Sequence, residues 1–393
     1  MGSGIRIREL SFGLEKSGAE VYVFTPYEQS FDLTRNVHVV STNNLLNKVG
    51  LSRSLYRLTR FAYYNKAFPS LFSKVELQSN KIFDKMVRGM AKLLRVADVD
   101  VIQVEQDVAL PIGIGLKRET GLPLVVDVHN ISSEELVAAG VLEKDSDRFV
   151  ALQNRTKKYL GGADRVVVVS EPMRDYAVEH YGLRSANIRV VPPGGRSFID
   201  KAIVERRSKP VKIAYAGLVA FREHVDLFVR SMPFVSARDA SVQFYITNKG
   251  EAVEKVKKLA DGLGVKPVFV WHDDYGVAKQ FLSTCHIGVL PSSGDVARKM
   301  GTPAKLFNYM SVGLPVVAND IGGWTEIIRK EKVGLVTSND PKDFGEALAS
   351  LAGDPRAMRE YGFRGLELTE SKYSWDNSAK ILLETYEDLT GKS

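Results

Sequence analysis

The chain has 393 residues, 44% of them apolar and 26% charged, with one cysteine and a formal net charge of +7. This is the composition of a water-soluble globular protein, and the length suggests two or three domains, with each half large enough for its own core. It excludes a disulfide framework, and with no run of about 18 apolar residues it excludes a membrane-spanning helix. The start, Met1-Gly2-Ser3-Gly4-Ile5-Arg6, has neither the apolar centre of a signal peptide nor the Ser or Thr that myristoylation requires at position 6. A reducing, cytoplasmic location is expected.

In chain order, a helix is expected over 5–17. Apolar strands follow at Val21–Thr25, Val37–Ser41, Val101–Val104, Leu124–Val128, Val166–Ser170 and Ile188–Val191. A second series runs Val211–Ala216, Val242–Thr247, Val268–Val270, Ile287–Leu290, Pro315–Ala318 and Gly334–Val336. Helical patterns lie between most of them, and a last helix runs from about Ser374-Trp375 to Leu389. Short apolar runs alternating with helices indicate parallel sheets covered on both faces. The series breaks at Pro192-Pro193-Gly194-Gly195, and a charged linker ends at Lys209-Pro210. The expected division is an α/β domain over 1–195, a second over 196–372, and a helix over 373–393 packing back toward the first. Ligands of such open sheets bind beyond the carboxyl ends of the strands, so the site should come from loops of both halves.

The charge is uneven. Between Lys48 and Arg95 stand eleven basic residues against Glu76 and Asp84, a local surplus of +9 that exceeds that of the whole chain. Aromatics interleave them: Tyr56, Phe61, Tyr63, Tyr64, Phe68 and Phe72. This insertion, 45–95, reads either as a solvated helical insertion or as a contact for an anionic membrane surface. Nucleic acid is not the expected partner.

Four motifs carry possible chemistry. Gly301-Thr302-Pro303-Ala304-Lys305-Leu306-Phe307-Asn308 opens a helix whose first turn suits a phosphate, and Asn308, one turn in, suits a sugar hydroxyl. A generic strand–helix–strand unit is the plain alternative. Asp127-Val128-His129-Asn130 ends a buried strand with three polar groups, where a functional histidine would sit. Gly217-Leu218-Val219-Ala220-Phe221-Arg222-Glu223-His224 follows the first strand of the second half; Gly217 permits close backbone approach and Arg222 suits a diphosphate, or the segment is a solvated helix start. Ser170 reads as the N-cap of a helix with Pro172 in its first turn, a site role remaining open. Gly113-Ile114-Gly115 fails the dinucleotide fingerprint, since position 118 is Arg and the glycines fall inside a helical pattern. There is no P-loop and no metal-ligand spacing among the six histidines.

The segment Pro303-x-Lys305-Leu306-Phe307-x-Tyr309-Met310-x2-Gly313-x-Pro315-Val316-Val317-Ala318 resembles the donor-site signature of family 4 glycosyltransferases of GT-B fold. Gly4-Ile5-Arg6, Asp127–Asn130, Ala163–Ser170, Val190–Gly194, Gly322-Gly323-x2-Glu326-Ile327-Ile328 and Tyr373-Ser374-Trp375 match the same family in order, covering nearly the whole chain. The resemblance implies a retaining, metal-independent hexosyltransferase-like enzyme. It would use a nucleotide-diphosphate sugar, no cofactor, and a lipid-linked or glycan acceptor, as in polysaccharide biosynthesis on the inner membrane face. A non-catalytic sugar-nucleotide-binding subunit and a sugar-nucleotide epimerase are the alternatives.

By resemblance, Lys305 and Arg222 contact the diphosphate together with the backbone at Gly217 and Thr302–Lys305 (Pro303, Ala304 and Leu306 included). Asn308 meets the ribose and His129 faces the transferred sugar; Gly4, Asn130 and Ser170 lie on the acceptor side. The family's Glu-x7-Glu falls here at Met300 and Asn308, so Asp295 or Ser293 takes the contact to the sugar. The phosphate-binding Lys usually found near Gly217 is replaced, with Glu223 or His224 in its place. The family also has a buried strand before the Gly-rich loop. This chain begins at the loop: either the start is truncated, or the first sheet lacks a central strand, and in the second case helix 5–17 is expected to be poorly anchored.

Overall fold

A computed structural model describes residues 2–25, 36–41, 84, 87–106, 109–199, 209–272 and 274–392. The chain divides into two compact units, one of Met1–Val191 with Ala379–Ser393 and the other of Pro192–Ser378.

The first unit begins with α1 (Gly2–Lys16), β1 (Val21–Thr25), β2 (Val37–Ser41) and β3 (Ile102–Glu105). It continues through α2 (Leu110–Thr120), β4 (Leu124–Val128), α3 (Ser132–Ala138), α4 (Asp147–Leu160), β5 (Arg165–Val168), α5 (Glu171–Tyr181) and β6 (Ile188–Val190). Strands β3-β4-β5-β6 form one parallel sheet, and β1-β2 pair as a second, also parallel. Every residue of β4 is buried, as a strand covered on both faces requires. Gly113 and Gly115, which fail the dinucleotide fingerprint, lie within α2, against Val104, Leu124 and Val87, where a Cβ would meet their side chains at 2.9–3.1 Å. They serve helix–sheet packing.

Helix α1 is better held than the sequence predicts. Arg6, Leu10 and Leu14, four residues apart on one stripe, are all buried, and Arg6 is locked into the sheet by Asp127. A long-range ion pair thus adds to the packing of α1 beside β1 and β2. Gly4 lies inside α1 rather than in a loop ahead of it, because the helix starts at Gly2.

The second unit contains β7 (Lys212–Tyr215), α6 (Val225–Ser236), β8 (Gln243–Thr247), α7 (Val253–Gly262), β9 (Val268–Val270), α8 (Tyr275–Ser283) and β10 (Ile287–Leu290). Then come α9 (Val296–Met300), α10 (Ala304–Met310), β11 (Val316–Asn319), α11 (Thr325–Glu331), β12 (Gly334–Thr337), α12 (Pro341–Ala352) and α13 (Pro355–Glu370). Its six strands are parallel in the order β12-β11-β10-β7-β8-β9. This is a doubly wound sheet whose strand order reverses between β7 and β10. Alternate residues face opposite layers: Ile213, Tyr215, Ile287, Val289 and Val317 join one core, and Ala214, Leu290, Val316 and Ala318 the other. Asp340 and Asp354 cap α12 and α13, each followed by proline at the first helical position.

The last helix, α14 (Trp375–Thr390), starts in the second unit and belongs to the first from Ala379 onward. Within the first unit it is fixed by Tyr386, which donates to Gln103 at 2.6 Å, and by Lys392 to Asp100 at 2.6 Å.

The basic segment 48–95 lies largely outside the described residues. Its described end, 87–96, is helical; Val87, Met90, Ala91 and Leu94 are buried at helical spacing, with Arg88, Lys92 and Arg95 exposed. No described helix is long and apolar enough to cross a membrane.

Candidate active site

In the second unit, the chain leaves β7 and β10 in opposite directions at the strand switch, which opens the carboxyl edge of the sheet to a ligand. The local sequence makes this edge rigid. Tyr309, fully buried on α10, accepts the Ala216 N–H at 2.8 Å and donates to the Val289 carbonyl at 3.0 Å, tying the ends of β7 and β10 together. It fits because Gly288 lies beneath it: a Cβ there would come within 2.7 Å of the ring. Burial pushes the Tyr309 hydroxyl pKa up, so it stays a donor. Asn319, at the end of β11, accepts the Ser292 N–H and donates to the Ser292 carbonyl, both at 2.8 Å, and so pins the loop after β10.

A charged cluster occupies this edge. Glu223 closes a short 3₁₀ turn, Phe221–Glu223, ahead of α6; the residue that joins them, His224, adopts the left-handed region at φ 54°. The Glu223 carboxylate accepts from Lys305 Nζ, with Arg298 at 3.6 Å and Arg222 Nε at 3.8 Å. Lys305 also donates to the Tyr215 hydroxyl at 3.0 Å and stands 4.9 Å over its ring. Burial raises the Glu223 pKa, but Lys305, Arg298 and Arg222 outweigh it and hold the carboxyl below its usual value. Tyr215 is pushed well above its usual value, by burial first and then by the Glu223 charge.

Gly217 makes this arrangement possible: a Cβ would meet Lys305 Cε at 2.4 Å, and its N–H donates to Thr247 at 3.0 Å. The Ser293 hydroxyl, with one proton to give, stands 2.9 Å from the Arg222 carbonyl and also within reach of Asp295, which caps α9 by accepting the Arg298 N–H at 2.9 Å.

The expected donor-site residues Arg222, Gly217, Ser293, Asp295 and Lys305 are therefore one neighbourhood. Pro303 is the N-cap residue of α10, and Ala304 its first helical residue. Leu306 is fully buried in the core and its N–H goes to the Pro303 carbonyl, so its contribution is packing. Asn308 accepts from the Tyr275 hydroxyl at 2.6 Å, and Met300 is buried. With only seven residues, α10 offers a small dipole, and the side-chain cations dominate the local field.

In the first unit, the expected polar strand end is a buried network. Arg6 Nε donates to Asp127 at 2.9 Å and its Nη2 to the Val191 carbonyl at 3.1 Å. Strand register places Glu105 beside Asp127. His129 Nδ1 stands 3.7 Å from Glu105 and 4.0 Å from Asp127. Burial, and then the Asp127 charge, push Glu105 up to about 8, despite Arg6; burial pushes His129 down to about 4. At neutral pH the His129 imidazole is uncharged, and the Glu105 carboxyl, with its side chain 26% exposed, is shifted toward its protonated form. Glu105, Asp127 and His129 could offer one ligand atom each within 4.8 Å to a cation, although Arg6 already binds Asp127. Asn130 is exposed, and Ser170 caps α5 by accepting the Met173 N–H at 3.2 Å, as its sequence position predicts.

Sequence reasoning missed Arg6, Glu105, Arg298, Tyr309 and Asn319 as site builders, and it named Glu223 only as occupying a missing lysine's place. Polar residues at the ends of Ile102–Glu105 and Val316–Asn319 were the available signal for two of them.

Two family profiles match the chain: "Glycosyltransferase Family 4" over residues 2–194 and "Glycosyl transferases group 1" over residues 210–354. The chain belongs to the family 4 glycosyltransferases of GT-B fold. A D-inositol 3-phosphate glycosyltransferase from Paenarthrobacter aurescens is 23% identical over 98% of this chain and 93% of its own. Among solved structures, the fold resembles sucrose-phosphate synthase from Thermosynechococcus elongatus, with TM-score 0.74 and 17% identity over 100% of this chain and 94% of that one. It also resembles Anabaena HepE solved in complex with UDP, with TM-score 0.71 and 13% identity over 99% and 97%.

Proposed function

We propose that the second unit holds the diphosphate of a nucleotide-sugar donor at the β7/β10 edge and that the enzyme transfers the sugar, with retention of configuration, to a lipid-linked or glycan acceptor. The observation that carries this reading is the gathering of Lys305, Arg298 and Arg222 within 4 Å of one carboxylate at the strand switch. UDP in the structure of the similar HepE agrees with a nucleoside diphosphate here.

Departure of a nucleoside diphosphate develops negative charge, and cations already fixed in place stabilise it without reorganising. Lys305, aligned by Tyr215 and given space by Gly217, is assigned the leaving phosphate; Arg222 is assigned the same group from the β7 loop. Asn308 is assigned the ribose, and Ser293 or Asp295 the sugar. Attack on the face that the diphosphate leaves, with that phosphate taking the acceptor proton, requires no protein nucleophile and no metal. His129, uncharged in its buried site, is assigned a neutral hydrogen bond to the transferred sugar. Asn130 and Ser170 fall to the acceptor side. The basic segment 48–95 is assigned contact with an anionic membrane surface that would carry a lipid-linked acceptor.

The test is steady-state transfer with a donor panel. Lys305→Ala and Arg222→Ala are each expected to reduce transfer by about 10²-fold or more. Wild-type rates in both variants would reject the donor-site assignment.

A further inference from the structure

We propose that Glu223 is an internal anion that occupies the phosphate position of the donor site, and that Arg298 is a third diphosphate-binding cation released when the ligand displaces it. The inference rests on the diphosphate reading above and adds a competitor and a ligand to it.

Three cations from three elements face the Glu223 carboxylate. Lys305 on α10 bonds it directly, Arg298 on α9 stands 3.6 Å away, and Arg222 lies beside it in the same turn at 3.8 Å. The Glu223 and Lys305 side chains are only 15% and 20% exposed, so the attraction is weakly screened. Arg222 Nε is buried without a hydrogen-bond partner among the described residues, although the rest of that side chain reaches solvent. At Arg222 Nε, donor capacity is therefore left that a diphosphate, with two or more charges and several acceptor oxygens, would take up.

Asp295 does not compete for these cations in the same way. Its two oxygens are engaged by the Ser293 hydroxyl and the Arg298 backbone N–H. Glu223 is differently placed. It ends a one-turn helix ahead of a left-handed His224, and its carboxylate is held by Lys305 with Arg298 and Arg222 beside it. An anion held there excludes adventitious phosphate and makes entry depend on a ligand strong enough to displace it. A site whose cations are free a tenth of the time binds about tenfold more weakly than the same site always open.

Glu223 could alternatively serve only to position Lys305, and the two roles predict opposite signs. Titration calorimetry with inorganic pyrophosphate at fixed ionic strength, on the full chain, separates them. Glu223→Gln is expected to bind about tenfold more tightly than wild type, and Arg298→Gln and Lys305→Ala to bind at least about tenfold more weakly. Glu223→Asp, whose carboxylate is drawn back by one methylene, is expected between wild type and Glu223→Gln, and it serves if Glu223→Gln does not fold. Equal or weaker binding by the Glu223 variants, with binding still lost in Lys305→Ala, overturns the displacement model and leaves the diphosphate site standing. Unchanged binding in Arg298→Gln overturns its assigned role. No binding by any chain, or binding that Lys305→Ala leaves intact, overturns the diphosphate reading itself.

Discussion

Arg6 and Asp127, 121 residues apart in sequence, form a buried ion pair: Nε donates to Oδ2 at 2.9 Å, with side chains 5% and 0% exposed. The pair joins the first helix to the centre of the β3–β6 sheet, and a second donation from Arg6 reaches the Val191 carbonyl at the end of that unit's main segment. A charge so enclosed is tolerated only while it is paired. Arg6→Ala is expected to cost about 3–5 kcal/mol, because it strands the Asp127 carboxylate in the sheet. Chemical denaturation measures this, and a loss below about 1 kcal/mol would mean that the pair does not anchor α1.

The same network predicts a pH response. Glu105 keeps its proton in the fold up to about 8, against an ordinary 4.5. The unfolded chain therefore releases that proton first, and the stability that Glu105 contributes is complete at low pH and lost as pH rises toward 8. His129 acts in the opposite sense: neutral in the fold down to about 4, it costs stability as pH falls below its ordinary 6.5. Melting of Glu105→Gln, compared with wild type from about pH 5 to about pH 8.5, is expected to show the variant gaining on wild type as pH rises. Parallel curves would place Glu105 in a more polar setting than its burial implies.

Twelve strands expected from the sequence all occur, five of them with identical ends. They were legible because parallel strands covered on both faces become unbroken apolar runs such as Ile287–Leu290 and Leu124–Val128. Lys305, Arg222 and Gly217 were legible as individual residues from the loops that carry them. Their arrangement was not. Glu223 meets Lys305 across 82 residues and Arg298 across 75, and nothing in local spacing encodes a contact of that range. Glu105 was hidden for a related reason, since only the β3–β4 register brings it to Asp127. The anchoring of α1 was not legible because Arg6 meets Asp127 across 121 residues, beside the burial of Leu10 and Leu14.

Gly217 and Lys305 give a prediction about space rather than charge. Gly217→Ala would press its Cβ against Lys305 Cε, and because a lysine side chain can swing aside, the fold should survive while the ammonium is displaced. Transfer is expected to fall about 10- to 100-fold with the melting temperature nearly unchanged. Retained activity would show that Lys305 tolerates displacement.

Tyr309 tests the rigidity of the site floor. Tyr309→Phe removes the acceptor for the Ala216 N–H and the donor to Val289 without changing volume. A stability loss of about 1–3 kcal/mol is expected from the unmet backbone groups. An unchanged denaturation midpoint would show that the ends of β7 and β10 are held together by other means.

The basic segment is tested by co-sedimentation with vesicles. Binding is expected to require anionic lipid and to fall when Arg53, Arg57 and Arg60 are neutralised together. Binding indifferent to lipid charge would remove the membrane from the account.

The central claim is that Lys305, at the β7/β10 edge, holds the diphosphate of a sugar nucleotide. Its most direct test is the thermal shift of wild type and Lys305→Ala with UDP, GDP, ADP and TDP, each alone and as its sugar conjugate. At a hundredfold excess over Kd, a bound nucleotide stabilises by about 2.7 kcal/mol, a shift of several degrees. At least one nucleotide is expected to produce that shift in wild type and little or none in Lys305→Ala. Equal shifts in both chains, or no shift with any nucleotide, would contradict the claim.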